Sequence, residues 1–100
     1  LAIRTTVVDT PGEWTVFPRG VMVVRCRQPG DELTTAGGTK SLKKRFIDRK
    51  IPQWERFAVP VIADGEGVLA VYGFGIDAKR RTGETYVRIE FVNISESAEE

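Results

Sequence analysis

An α+β domain built mainly from antiparallel strands is what this sequence predicts, and three observations carry that reading. Short runs rich in Val, Ile, Thr and aromatic residues recur between proline- and glycine-bearing turns. One helical pattern sits in the middle of the chain instead of alternating with the strands. Near the end, "TYVRIEFVNI" alternates apolar and polar residues strictly, as a half-exposed antiparallel strand does. With 100 residues and 41% hydrophobic side chains, the chain suits one compact domain with its own core. That domain is expected over residues 1–94, followed by an acidic, disordered tail at 95–100.

Taken in order, residues 1–8 read as a strand that ends at the turn signal "DTPGE". A short second strand covers 14–17 and is closed by Pro18 and Gly20. Residues 21–27, "VMVVRCR", form a third strand expected to be buried on at least one face, with Cys26 as a small buried residue. "QPGDE" is a turn, and "TTAGGT", Thr34 to Thr39, reads as a glycine-bearing loop leading to a helix at about 40–50. Thr39 or Ser41 can cap that helix, while Leu42 and Phe46 lie four apart on one face and predict a narrow buried stripe. Pro52 opens a short second helix at about 52–58, which Pro60 stops. Strands at 59–63 and 68–72 flank "DGEG" as a hairpin. Gly73 and Gly75 mark a bend, "KRRTGE" is a turn, and the last strand spans 85–94.

Composition excludes several functions. The net charge of +1, from 15 Lys+Arg against 14 Asp+Glu, is too balanced for binding nucleic acid over the whole surface. The chain has no histidine and only Cys26. Nucleophile–histidine pairs, thiolate zinc sites and internal disulfides are therefore ruled out, and a reducing cytoplasm is the expected location. No apolar run is long enough to span a bilayer, so no membrane partner is expected. The glycine pairs match no phosphate-binding loop, and the carboxylates are scattered, so these residues are expected to be non-catalytic, with no cofactor and no metal. The chain starts without an initiator Met, in a strand pattern, and reads as an excised piece of a larger protein.

The strongest positive feature is a local cluster. Lys40, Lys43, Lys44, Arg45, Arg49 and Lys50 surround one carboxylate, Asp48. Two readings stand: a solvated helix face, or a surface that neutralises phosphates. Because only Asp48 can pair with a neighbour, notably Lys44, the helix would repel itself when isolated, and that favours a partner. Trp54 is either an anchor of the second helix on the core or a platform for a base, the anchor being favoured. Glu55 and Arg56 divide between a local ion pair and ligand contact. Arg80 and Arg81, in a turn, are either solvated or a second phosphate contact.

The segments "RQPGDEL", "GGTKSLKKRFIDRKIPQWER" and "PVIADGEGVLAVYGFGID" together resemble the C-terminal domain of bacterial tRNA(Ile)-lysidine synthetase, from about Pro11 to Asp77. Two departures are Phe57, where an acidic residue often follows "WER", and Phe74, where leucine is common; neither is expected to touch the basic helix. The resemblance implies a parent enzyme that uses ATP, Mg and lysine to attach lysine to the wobble cytidine of an isoleucine tRNA. The loop "SGGxDS" that holds ATP in that enzyme's N-terminal domain is absent from these residues. What the resemblance implies for this chain is a grip on the acceptor stem of tRNA(Ile), beside the catalytic N-terminal domain of the same chain. Arg27, beside the "PGD" turn, joins the basic helix, Arg56, Arg80 and Arg81 as expected tRNA contacts. The competing expectation is a docking domain whose basic helix meets an acidic protein surface, in its own chain or in a second subunit.

Overall fold

The computed structural model describes residues 2–83 and 85–92. The expected tail at 95–100 lies outside the described residues. The order of elements is β1 (Ala2–Val8), β2 (Thr15–Val16), β3 (Val23–Arg25), β4 (Glu32–Thr35), β5 (Gly38–Ser41) and α1 (Leu42–Asp48). A 3-10 helix at Gln53–Ala58 follows, then β6 (Val61–Asp64), β7 (Gly67–Val71), β8 (Gly75–Ile76), a 3-10 turn at Ala78–Arg80, and β9 (Tyr86–Val92). Every strand pairing among the described residues is antiparallel, and the fold is α+β, as the sequence predicts.

Among the described residues three sheets form, in the orders β1-β9-β2, β3-β6-β7-β8 and the hairpin β4-β5. The four-stranded sheet is the middle layer because its central strands are apolar on both faces. Ile62, Leu69 and Ala70 face one side while Val61, Val68 and Val71 face the other; the register shift between Ile62 and Ala63 makes Leu69 an extra residue in β7 and so interrupts the simple alternation there. On the first side they meet Val16, Val87 and Ile89 of the three-stranded sheet. On the second they meet Leu33 of the hairpin and Leu42 and Phe46 of α1. The predicted Leu42–Phe46 stripe is therefore the underside of α1, and both residues are fully buried.

Several expectations need correction. Thr34 to Thr39 is no loop: β4 and β5 pair there in register, Leu33 opposite Lys40 and Thr34 opposite Thr39, and the two threonine hydroxyls lie 2.6 Å apart. The helix is consequently shorter than 40–50, and Lys40 belongs to a strand. Ser41 is the cap, its Oγ accepting from the Lys44 amide at 3.1 Å. The helix closes in a Schellman arrangement: the Lys50 and Ile51 amides donate to the Ile47 and Phe46 carbonyls, with Lys50 left-handed at φ 56°. The segment 21–27 yields only β3, an edge strand whose Val23 and Val24 are exposed, and Cys26 is exposed as well. An edge strand with an uncovered face has the same composition as a buried one, which is why the sequence misleads here.

Candidate nucleic-acid interface

Helical geometry divides the basic segment into two sides. At about 100° per residue, Arg45 and Asp48 fall on one flank of the buried stripe, Lys43 with Ile47 on the other, and Lys44 opposite the stripe, within reach of Asp48. On the first flank the charges are already engaged. Asp48 sits 3.6 Å from the ammonium groups of both Lys40 and Lys44. Arg45 reaches back to the hairpin, its Nε and Nη2 donating to the Leu33 carbonyl at 3.2 and 2.7 Å and its Nη2 to the Gly38 carbonyl at 3.0 Å. Arg49 donates to the Gly73 carbonyl at 3.0 Å and lies over the Phe74 ring, which itself packs on Phe46. Phe74 thus touches the basic helix directly, contrary to expectation.

The other flank faces a groove of about 460 Å³ where the start of α1, a turn and the 3-10 helix meet. Lys43 and Ser41 come from the start of α1, Arg27 from the turn after β3, and Arg56 and Phe57 from the 3-10 helix. That turn is rigid for a chemical reason. Arg25 holds the Asp31 carboxylate with two bonds at 2.7 and 3.0 Å, the Gln28 amide donates to the same carboxylate at 2.8 Å, and the Asp31 carbonyl accepts from the Leu42 amide at 2.9 Å. The turn and the helix start are thereby locked together. Arg56 is steered by its Nε, which donates to the Ile51 carbonyl at 3.0 Å, and among the described residues it makes no ion pair, with Glu55 or any other carboxylate. Among the described residues, Arg27, Lys43 and Arg56 have no carboxylate within ion-pair distance.

Trp54 is not an anchor. It is 79% exposed, and Phe57, a groove residue that the sequence reading left without a role, is 76% exposed. The 3-10 helix has no buried residue; its spacing of three, not four, is the signal that links these two positions. Lys50 is exposed beyond the end of α1. Arg80 and Arg81 lie away from the groove. Arg80 is paired with the fully buried Asp64 carboxylate and its Nη1 donates to the Phe17 carbonyl, while Arg81 donates to the Glu13 carbonyl at 3.4 Å. Arg80 is committed to the fold and not presented for a ligand.

Burial by itself would raise the Asp31 and Asp64 carboxyls and is the largest single influence on each. For Asp31, the Arg25 hydrogen bond, the Gln28 amide and the charges of Arg25 and Arg27 together outweigh it. For Asp64, the Arg19 and Glu66 amides and Arg80 do the same. Both carboxyls are held below the ordinary range. A carboxyl depressed in the folded state stabilises in full above its unfolded value, about 3.9 for Asp, and that contribution is lost as pH falls through the folded value. With no histidine to titrate, stability should be nearly level from about pH 8 to 5 and fall below about pH 4. Urea midpoints across that range check this, and a decline already complete by about pH 5 would contradict it.

Comparison with known proteins matches residues 22–91 to the TilS substrate C-terminal domain family. The tRNA(Ile)-lysidine synthase of Clostridioides difficile (strain 630) is 35% identical over 77 residues, covering 77% of this chain and 17% of that protein. The enzyme of the same name from Caldanaerobacter subterraneus subsp. tengcongensis is 41% identical over 63 residues, 61% of this chain and 14% of that one. This chain therefore spans about a sixth of the length of such relatives. A solved structure described as the crystal structure of TILS C-terminal domain superposes with a TM-score of 0.69 at 28% identity, over 91% of this chain and 84% of the other. With a family model matched across both sides of the groove and the same fold in a solved relative, the chain belongs to the TilS substrate C-terminal domain family.

Proposed function

We propose that this chain is the tRNA-binding part of a tRNA(Ile)-lysidine synthetase and that the groove between Arg27, Lys43 and Arg56 holds the acceptor stem. One observation carries the reading: three cations, from a turn, α1 and the 3-10 helix, line one groove with no carboxylate within ion-pair distance among the described residues, the Asp31 carboxylate that also lines it being held by Arg25. An A-form stem offers phosphates and 2'-hydroxyls, not base edges, to such a surface, so the grip reads shape. Its other basic residues are partly occupied: Lys40 and Lys44 share Asp48, and Arg45 and Arg49 bind backbone carbonyls. These residues keep the groove's supports in place, and Lys50 extends the positive surface beyond α1.

The parent would ligate lysine to the wobble cytidine through a catalytic N-terminal domain in the cytoplasm, and ATP, Mg and lysine belong to that domain. Among the described residues no three His, Cys, Asp or Glu side chains are grouped as metal ligands. A second reading has its own support. Val21, Val23 and Val24 are 82%, 48% and 56% exposed along the β3 edge, an apolar strip suited to docking on the rest of the chain.

Salt dependence tests the proposal. Three neutralised phosphates give a slope of log affinity against log salt of about −2 to −3. Lys43→Ala should flatten it by about one unit and weaken binding to any stem alike, while Lys44→Ala, already paired with Asp48, should change it less. A slope unchanged in the Arg27→Ala, Lys43→Ala double variant, with circular dichroism intact, would hand the groove to the docking reading.

A further inference from the structure

Trp54 and Phe57 have no role in holding the fold. Both project from a 3-10 helix without a buried residue, and neither ring joins an aromatic pair among the described residues. In a 3-10 helix, residues i and i+3 eclipse, so the two side chains leave the same face of the helix, their attachment points about 6 Å apart along the axis. Phe57 also lines the groove with Arg27, Lys43 and Arg56. An apolar protein partner is a poor match for a ring that shares its groove with three cations. A polyanion with flat apolar faces is a good one, and a nucleic acid single strand has that chemistry.

Duplex bases already hide their faces against one another, so exposed rings gain nothing from the paired stem itself. We infer that Trp54 and Phe57 form a stacking platform for an unpaired nucleotide in the single strand that continues from the stem, its phosphates running over Arg56 and Lys43. This rests on the tRNA-binding reading and deepens it: the ligand class becomes a stem with a single-stranded extension.

Two RNA hairpins of identical stem test it, one blunt and one carrying a short single-stranded 3' extension. Stacking of one base predicts that the extension tightens binding by about tenfold or more. It also predicts quenching of tryptophan emission by the extended hairpin that is lost in Trp54→Leu, since Trp14 lies elsewhere in the core. In the Trp54→Ala, Phe57→Ala double variant the two hairpins should bind alike. Equal affinity of both hairpins for the unaltered chain overturns the stacking platform and leaves stem binding standing. An extension gain that survives the double variant overturns it as well. Binding of neither hairpin overturns both, and then a protein partner would account for the rings.

Discussion

Replacing Arg80 with methionine is expected to cost roughly 3–5 kcal/mol, because it removes one partner of a buried ion pair and leaves the other. The Asp64 side chain is fully buried and that of Arg80 is 11% exposed. Asp64 would keep the Arg19 and Glu66 amides, at 2.6 and 2.9 Å, but its charge would have no counterion. Methionine retains much of the stem's volume, so the loss isolates the charge from packing. The deficit should shrink as pH falls and Asp64 takes up a proton, because a neutral carboxyl no longer needs the guanidinium. Urea unfolding of both proteins at neutral and acid pH measures this. A deficit under about 1 kcal/mol at neutral pH, the size of an exposed pair, would show that the pair is solvated.

Phe46→Ala should be comparably severe, about 3–5 kcal/mol, through the cavity it opens. Phe46 is fully buried among Leu33, Leu42, Val61, Val68 and Val71, with the Phe74 ring 5.3 Å away. It is also the point where α1 meets the sheet. Without it the cationic groove loses the support under Lys43, so RNA affinity should fall together with stability. Lys43→Ala, by contrast, should leave the urea midpoint almost unmoved, a change of about 0.5 kcal/mol or less for an exposed side chain. A Phe46→Ala protein with an unaltered midpoint would place α1 off the core.

What could be read in advance follows from which forces are local. Alternation in β9 and the spacing of Leu42 and Phe46 are periodic signals, and both describe the structure: Val87 and Ile89 are buried on one face of β9, and the stripe is the underside of α1. The β4-β5 hairpin was missed because threonines and glycines between strands look like a loop until their pairing partner is known. Lys40 moved from helix to strand as a result. The six cations do not act as one helix face, because Lys40 belongs to β5, Asp48 sits against Lys40 and Lys44, and Arg45 and Arg49 are held by backbone carbonyls. Arg80 could not be told from a ligand contact, since its partner Asp64 lies sixteen residues earlier, at the end of β6. Phe57 carried no periodic signal at helical spacing, and only the 3-10 geometry aligns it with Trp54.

The order β1-β9-β2 governs how the chain matures on the ribosome. Neither β1 nor β2 pairs with the other; both bind β9, with Ala2 opposite Val92 and Thr15 opposite Arg88. Translation at about 5–20 residues per second leaves β1 without its partner for roughly 4–16 s while the intervening chain is made. The lower layer, from the β3 strand through β8, can assemble during that time around Leu33, Leu42 and Phe46. Its opposite face, carrying Ile62, Leu69 and Ile76, stays open to water until β9 emerges to bring both waiting strands across it. A nascent chain stalled before Tyr86 would thus display a folded groove above an uncapped apolar sheet, a species prone to self-association and a natural client for chaperones.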